Sequence, residues 1–310
     1  MLRKDLLSIY DLETSDIKRI LDRSVKLKKL LKDGVPVDPL KGKMLGLLFD
    51  KSSTRTRLSF EVGMLQLGGM TTFLSRNDIQ LGRGETVADT ARVVSRYLNG
   101  MVIRTFSQDL VEEFARYATI PVINGLTDLL HPCQILADLF TISEKKGRYE
   151  GLRIAYVGDG NNIANSWINA AARLSFELAL ACPEGYDPDA VILKRGKEES
   201  ERGIHVYRSP YEAVEGADVI YTDTWTSMGQ ESEREKRLAI FKDYQVNDLL
   251  VGHAKDDVIV MHCLPAHRGE SITDDVIDGP NSVVIDQAEN RLHVQKAILD
   301  ILMGGERDEG

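Results

Sequence analysis

One stretch, MLGLLFDKSSTRTR at residues 44–57, joins a short apolar run to a cluster of hydroxyl and guanidinium side chains. An aliphatic run of this length is typical of a strand that is buried on both faces. Apolar residues at helical spacing follow directly, at Leu58, Val62 and Leu65, and they predict an α-helix. The stretch therefore predicts a buried strand that leads through polar residues into the start of a helix.

The same alternation of strand and helix recurs along the chain, without an internal repeat of the length that solenoids show. Helical patterns separate the apolar runs, and Ser107 is a candidate cap for one of them. Buried strands that alternate with helices form parallel sheets covered by helices, so we predict an α/β fold. Further strands are predicted at Thr71–Leu74, Met101–Arg104, Pro121–Asn124, Leu152–Val157, Leu178–Cys182, Asp218–Thr222, Val258–His262 and Val283–Ile285.

A polar segment from Lys145 to Gly151 contains two glycines and follows a long predicted helix. Segments of this composition are typical of the boundary between two domains. We expect a first domain at residues 1–146, a second at residues 147–286, and an amphipathic helix at residues 287–310 that returns to the first. Each lobe then has its own mainly parallel sheet, and the active site is expected in the cleft between the lobes, beyond the carboxyl ends of the strands.

The composition indicates a globular chain with an acidic balance. Of 310 residues 43% are hydrophobic, and 48 acidic against 39 basic side chains give a formal net charge of -9. This charge argues against nucleic acid or an anionic membrane as a partner, and no apolar run approaches the ~20 residues that span a bilayer. Three cysteines without a CxxC pair favour neither a disulfide framework nor a zinc ribbon. We expect a cytoplasmic protein without a metal or cofactor.

The residues after the first predicted strand indicate an anion site. A helix N-terminus carries unpaired N–H groups and a partial positive charge, and the sequence adds Ser53, Thr54, Arg55 and Thr56 at this point. A simple cap needs only one hydroxyl, so the four residues favour a phosphate-binding cradle over a solvated cap. Arg104, at the end of the third predicted strand, is a candidate for contact with the same anion.

Two further helix starts carry polar side chains. His131 and Gln134 lie at the first of them, where an imidazole and an amide can polarise a carbonyl group and bind an –NH₂ group. At the second, Gly158-Asp159-Gly160-Asn161-Asn162 begins like a dinucleotide-binding fingerprint, but Ile163 stands in the place of its third glycine. Asparagines at a helix start also suit a small carboxylate, which is the interpretation that we favour, with nucleotide binding left open.

The last candidate segments follow strands of the second lobe. Asp223 is a candidate anchor for a cation, and the charged run Gln230–Arg237 after it predicts a mobile, solvated loop or helix start. His262 and Cys263 follow the next strand. Because neighbouring side chains on an extended strand point to opposite faces, we expect no metal ion bound by both. A thiol directed into a pocket is favoured for Cys263.

Four motifs resemble, in their order along the chain, those of the aspartate/ornithine carbamoyltransferase family. The resemblance covers nearly the whole chain and implies two α/β lobes, with carbamoyl phosphate on the first and ornithine on the second. It further implies citrulline and phosphate as products, a role in arginine synthesis or breakdown, and a homotrimer or a multimer of trimers. The motifs are Phe49-x-Lys51-x-Ser53-Thr54-Arg55-Thr56, His131-Pro132-Cys133-Gln134, Asp223-x-x-x-Ser227-Met228-Gly229 and His262-Cys263-Leu264-Pro265.

The resemblance also implies roles for individual residues. It implies that Gln80 serves a neighbouring subunit and that the Leu264–Pro265 peptide bond is cis. The implied catalytic residues are Arg55, Arg104, His131, Asp223 and Cys263. The implied ornithine-binding residues are Asn162, Asp223, Ser227 and Met228. The implied carbamoyl-phosphate-binding residues are Ser53, Thr54, Arg55, Thr56, Gln80, Arg104, His131, Gln134, Cys263, Leu264 and Arg291.

Several alternatives stay open at this point. Ornithine is favoured over aspartate because Ala266 stands where the aspartate-specific relative carries an arginine, and because Asp223 repels a second carboxylate. Acetylornithine and putrescine are further candidate amines. A nicotinamide-dependent dehydrogenase that uses the Gly158-x-Gly160 turn is a remote alternative, and a scaffold or sensor without turnover is another. The group that accepts the proton from the amine is left open among Asp223, Cys263, water and phosphate.

Overall fold

The computed structural model describes residues 4–75, 84–226 and 231–304. Contacts divide them into two compact units, of which the second spans Thr141–Glu289. The first contains the described residues up to Phe140 and those from Asn290 onward. The domain limits predicted at residues 146 and 286 stay predictions. Within the described ranges, none of the helices combines the length and apolar character that crossing a bilayer requires.

The first unit contains a four-stranded parallel sheet with the order β2-β1-β3-β4. Its core joins Leu48 and Ile103 of the sheet to Val111 and Phe114 of a covering helix. The predicted strands of this unit are therefore confirmed. The strands are β1 (Met44–Phe49), β2 (Met70–Ser75), β3 (Gly100–Arg104) and β4 (Val122–Leu126). The helices that begin in this part of the chain are α1 (Thr14–Lys32), α2 (Thr54–Gln66), α3 (Val87–Val94), α4 (Gln108–Tyr117) and α5 (Pro132–Lys146).

Helix α2 is apolar on two faces. Phe60 and Met64 are fully buried, whereas Leu58 and Leu65 are 52% and 72% exposed. The spacing of Leu58, Val62 and Leu65 predicts the helix correctly, but this stripe faces outward from the unit, and the core contacts come from the other face. An exposed apolar stripe is typical of a surface that contacts another protein.

The second unit contains a five-stranded parallel sheet with the order β7-β6-β5-β8-β9. Strand β7 was not predicted, because its four residues lie at the sheet edge and include the exposed His205, so they form no apolar run. The strands are β5 (Arg153–Val157), β6 (Glu177–Ala181), β7 (Ile204–Tyr207), β8 (Val219–Thr222) and β9 (Ile259–His262). The helices are α6 (Asn162–Ala171), α7 (Ala190–Glu199), α8 (Pro210–Val214), α9 (Arg234–Phe241), α10 (Asp248–Val251) and α11 (Asp274–Ile277).

The strand predicted at Val283–Ile285 is wrong. The chain passes beside β9, where the Val283 N–H donates to the Val260 carbonyl at 3.0 Å, and helix α12 (Val284–Met303) begins at the next residue. Ile285 is 78% exposed on the first turn of this helix. Two of the three β-branched residues, Val284 and Ile285, therefore lie on a helix, whereas Val283 bonds to β9.

Candidate functional site

The start of helix α2 forms the first part of the candidate site. Ser53 is the N-cap, and its Oγ accepts a hydrogen bond from the Thr56 backbone N–H at 3.2 Å. Thr54 begins the helix, and Arg55 follows it with a half-buried side chain. A cavity of about 550 Å³ lies beside this helix start, and of the four predicted cradle residues it is lined by Ser53 and Thr54. It is lined by Phe49, Asp50, Ser52, Ser53, Thr54, Arg57, Leu58, Phe73 and Ser75.

The parallel sheet brings Arg104 to the same edge. Arg104 ends β3 beside Phe49, the last residue of β1, and its carbonyl accepts from the Asp50 N–H at 2.8 Å. Its side chain is 7% exposed. A buried guanidinium at the carboxyl end of the sheet adds positive charge where ligands of parallel sheets bind.

A buried guanidinium from the last helix connects two other predicted residues. Arg291 is 4% exposed, and it donates from Nη1 to Gln134 Oε1 at 2.7 Å and from Nη2 to Thr56 Oγ1 at 2.8 Å. Gln134 Nε2 in turn donates to Asp138 Oδ1 at 2.9 Å. Arg291 thereby ties the first turn of α2 to the first turn of α5. The Gln134 amide, predicted to bind the carbamoyl group, uses its oxygen and its nitrogen in contacts with the protein.

His131 lies among these cations. Its side chain is buried, and burial, with the nearby Arg291 and Arg104 guanidinium groups, holds its pKa well below the usual 6.5. The imidazole is therefore neutral near pH 7. A neutral imidazole can still donate one hydrogen bond, for example to a carbonyl oxygen.

The lowered pKa of His131 makes stability depend on pH. Below the usual pKa, the unfolded chain protonates this histidine and the folded chain does not, so folding loses stability as the pH falls. We expect wild type to lose about 1.4 kcal/mol of unfolding free energy per pH unit below about pH 6.5, relative to His131→Asn. Denaturant unfolding of both proteins at about pH 7.5 and pH 5.5 measures this difference. A difference that stays constant over this range would contradict the neutral, buried assignment.

In the second unit, the glycine turn after β5 is packed against protein. A Cβ atom on Gly160 would lie 2.2 Å from the Pro188 nitrogen and 2.6 Å from the Tyr186 carbonyl oxygen. In a dinucleotide-binding turn, the corresponding glycine lets the backbone approach a pyrophosphate. Here it lets the turn approach a neighbouring chain segment, so the glycine pattern is explained without a nucleotide.

Asp223 follows β8 and lies beside two polar side chains. It is 8% exposed, its Oδ2 accepts from Asn161 Nδ2 at 2.8 Å, and its Oδ1 accepts from the Cys263 thiol at 2.9 Å. Asn162, the predicted ligand, is the first residue of α6, directly after Asn161. The second unit thus presents a fixed carboxylate, a thiol and a helix start. The helix-start pattern treated the two asparagines alike and the family resemblance implied Asn162 alone, so the contact of Asn161 with Asp223 was missed.

Asp223, His262 and Cys263 also lie close enough for one metal ion, since one ligand atom of each lies within 4.8 Å of the others. The expectation that His262 and Cys263 point apart is therefore wrong, because β9 ends at His262 and the chain bends at Leu264, whose φ is 57°. Both His262 nitrogens already have partners: Nδ1 accepts from the Leu264 N–H at 2.9 Å, and Nε2 lies 3.3 Å from Ser271 Oγ. A metal ion would have to displace these contacts. The Leu264–Pro265 bond is cis, which confirms that prediction.

Helix α9 contains a buried cation. Arg237 is 3% exposed, forms an ion pair with Asp159 and donates to the Trp225 carbonyl. Burial raises the pKa of Asp159 to about 6, although Arg237 acts in the opposite direction. The solvated character predicted for the run Gln230–Arg237 is therefore wrong at its last residue.

The predicted residues are distributed between the two units. Gln80, Ser227 and Met228 lie outside the described residues. The first unit contains Ser53, Thr54, Arg55, Thr56, Arg104, His131, Gln134 and Arg291. The second contains Asn162, Asp223, Cys263 and Leu264.

Two protein-family models match the chain. The model described as the carbamoyl-P binding domain of aspartate/ornithine carbamoyltransferase matches residues 4–144. The model described as the Asp/Orn binding domain of the same proteins matches residues 150–302. Together they cover both units.

Individual proteins are similar over nearly their full length. The ornithine carbamoyltransferase of Syntrophus aciditrophicus is 69% identical, over 97% of this chain and 100% of that protein. The solved structure of the Pyrococcus furiosus ornithine carbamoyltransferase is 52% identical, covers 98% of both chains and superposes with a TM-score of 0.95. The structure of the anabolic enzyme of Campylobacter jejuni is 38% identical, covers 97% of this chain and 99% of that chain, and gives a TM-score of 0.91.

Proposed function

The chain belongs to the aspartate/ornithine carbamoyltransferase family, and from this premise we propose its reaction. It transfers the carbamoyl group of carbamoyl phosphate to the side-chain amine of L-ornithine and forms L-citrulline and phosphate. The names of its similar relatives support ornithine as the amine. No cofactor enters this reaction.

The observation that carries the choice of amine is the buried carboxylate of Asp223. A fixed carboxylate attracts an ammonium group and repels a second carboxylate. Ornithine and aspartate both carry an ammonium group, but aspartate adds a carboxylate where ornithine adds an amine. Asp223 and the adjacent Asn161 amide therefore support ornithine over aspartate.

The first unit binds carbamoyl phosphate in the proposed reaction. The start of α2, with Ser53 and Arg55, holds the phosphate, which leaves as an anion. The neutral His131 and the guanidinium of Arg104 face the carbamoyl oxygen, which gains negative charge as the amine attacks. Donors that are already in place stabilise this charge without reorganisation, and losing one typically costs ~10²–10³ in rate.

The second unit prepares the amine. A free side-chain amine of this type has a pKa near the lysine value of ~10.4, so it must lose a proton before it attacks. Asp223 and Cys263 are the acid–base groups that the described part of this unit offers beside Asn161. The Cys263 sulfur lies 2.9 Å from the carboxylate, and the attack of the amine needs no covalent enzyme intermediate. Cys263 therefore orients groups or handles a proton and is not a nucleophile.

The test is a product assay with the purified chain. Incubation with carbamoyl phosphate and ornithine is expected to yield citrulline and phosphate in equal amounts, and ornithine is expected to be preferred over acetylornithine, putrescine and aspartate. Absence of citrulline would reject the proposal. Saturable NAD binding would instead favour the dehydrogenase alternative, against which the packing of Gly160 argues.

The apolar stripe of α2 supports assembly into a homotrimer or a multimer of trimers. Leu58, Val62 and Leu65 are exposed on the helix whose N-terminus forms the phosphate cradle, and Met70 beyond it is 56% exposed. A second copy that covers this stripe would also reach the cavity, which Leu58 lines. Light scattering is expected to give the mass of three chains or a multiple of it, and a monomer at micromolar concentration would contradict the assembly. A cytoplasmic location is proposed with it, because three cysteines without a CxxC pair favour no disulfide framework.

A further inference from the structure

Three residues of the second unit donate hydrogen bonds to the Asp223 carboxylate, and Thr224 does so twice, because its hydroxyl also lies 3.5 Å from Oδ1. The carboxylate Oδ1 accepts from the Thr224 backbone N–H at 2.7 Å and from the Cys263 thiol at 2.9 Å, and its Oδ2 accepts from Asn161 Nδ2 at 2.8 Å. Charge-assisted bonds of this kind are short and directional. Thr224 and Cys263 hold Oδ1, whereas the Asn161 amide holds Oδ2 and thereby determines how the carboxylate plane is rotated.

The amide of Asn161 has one usable orientation. As the N-cap of α6, its Oδ1 accepts from the backbone N–H groups of Ile163 at 2.9 Å and Ala164 at 3.4 Å. A flipped amide would place its NH₂ group against these two donors and lose both bonds. The helix cap therefore forces Nδ2 to face Asp223.

The hydroxyl of Tyr156 supports this amide. Tyr156 is fully buried on β5, and its oxygen lies 2.7 Å from the Asp159 carbonyl oxygen and 3.2 Å from Asn161 Oδ1. Burial, together with the charge of Asp223, raises the pKa of Tyr156 well above its usual range. The hydroxyl therefore stays protonated and remains a donor for these oxygens.

We propose that Asn161 is a positioning residue for the amine half of the reaction: it orients the Asp223 carboxylate, and the α6 helix start and the Tyr156 hydroxyl hold it in place. The inference rests on the proposed function, since it takes Asp223 as the group that binds the amine substrate. The oxygens of a carboxylate that rotates take up many positions relative to the amine, whereas catalysis depends on a fixed position.

The first test replaces Asn161 by serine. Serine caps a helix about as well as asparagine, but its hydroxyl is too short to reach Asp223. Asn247→Ser is the matched control, because Asn247 caps α10 of the same unit through the Leu250 N–H at 3.0 Å and has no proposed role with substrate.

In Asn161→Ser, kcat/KM for ornithine is expected to fall about tenfold, the size of one lost hydrogen bond to a charged group. The KM for carbamoyl phosphate and the Tm are expected to match those of Asn247→Ser. An unchanged kcat/KM for ornithine would overturn the inference.

The second test, Asn161→Asp, decides the question even if the serine variant folds poorly. Aspartate keeps the cap and the shape but places a carboxylate against that of Asp223. Two carboxylates in contact share a proton as the pH falls, and the shared proton restores a donor to Asp223. The ratio of variant to wild-type kcat/KM for ornithine is expected to rise between about pH 9 and pH 6. A ratio independent of pH would contradict the positioning role.

A third measurement tests this inference separately from the proposed function. If the proposed function were wrong, the wild-type enzyme would make no citrulline. Cys263 is half-exposed, whereas Cys133 and Cys182 are buried and burial raises the pKa of both thiols. Iodoacetamide should therefore label Cys263 first. A carboxylate that turns away no longer holds the Cys263 thiol, so labelling is expected to be about threefold faster in Asn161→Ser than in Asn247→Ser. Equal or slower labelling would contradict the inference, whichever substrate the enzyme uses.

Discussion

Replacement of Arg55 by alanine is expected to lower kcat/KM for carbamoyl phosphate by about 10²–10³-fold, the usual loss when one donor to a developing anion is removed. Arg55 lies in the first turn of α2, directly after the Ser53 cap and the first helical residue, Thr54. Its guanidinium adds a full charge to the partial charge of the helix end. Initial-rate kinetics with carbamoyl phosphate as the varied substrate measure the loss.

The control for this variant is Arg92→Ala. Arg92 is a surface residue of the same unit, with a 59% exposed side chain that pairs with Asp89 at 3.2 Å. The Arg92→Ala variant loses the same charge at a position outside the cradle, so its kinetics are expected to equal those of wild type. Equal kinetics for Arg55→Ala and Arg92→Ala would contradict the proposal that Arg55 binds the phosphate group of carbamoyl phosphate.

Replacement of Asp223 by asparagine is expected to lower kcat/KM for ornithine on the order of 10²-fold, because an ammonium group loses its charged partner. The variant keeps the size of the side chain and one oxygen, which can accept either from Asn161 or from Thr224, so the fold is expected to persist. The KM for carbamoyl phosphate is expected to change little, since its proposed contacts in the first unit are intact. Steady-state kinetics with each substrate varied in turn separate the two effects.

A buried carboxylate at the other end of the same strand provides the control. Asp218 precedes β8, accepts from Lys255 Nζ at 2.6 Å and from the Arg153 N–H at 2.8 Å, and is 7% exposed. Asp218→Asn is expected to lower Tm without changing the KM for ornithine. If both variants reduce activity in parallel with Tm, then Asp223 acts through stability, and its assignment to the amine fails.

Local patterns were sufficient to predict most of the fold. The run Met44–Phe49 is apolar and forms the buried strand β1 in the middle of its sheet, and helix α2 begins directly after the polar residues, as the pattern predicts. The apolar pattern failed to predict the secondary structure correctly where the residues are only partly buried. The edge strand β7 has no apolar run, and the β-branched residues Val284 and Ile285 begin a helix.

The candidate site was predictable in its residue types and less so in their contacts. Two separate motifs mark Asp223 and Cys263, but neither motif predicts the hydrogen bond between them, which joins residues that follow two different strands. Asn161 and Asn162 are equivalent in sequence, and only the cap geometry of α6 separates the residue that holds Asp223 from its neighbour. The burial of Arg237 beside Asp159 could not be predicted from the sequence either, because a run of charged residues predicts exposure to solvent.

The hydrogen bonds of Arg291 have a consequence for biosynthesis. They join it to Thr56 and Gln134, residues that leave the ribosome long before it does. A nascent chain that ends at residue 289 already contains the whole second unit but lacks the guanidinium that links α2 and α5. The phosphate-binding unit therefore reaches its final hydrogen bonding only after the amine-binding unit has been translated, although its sheet is translated first.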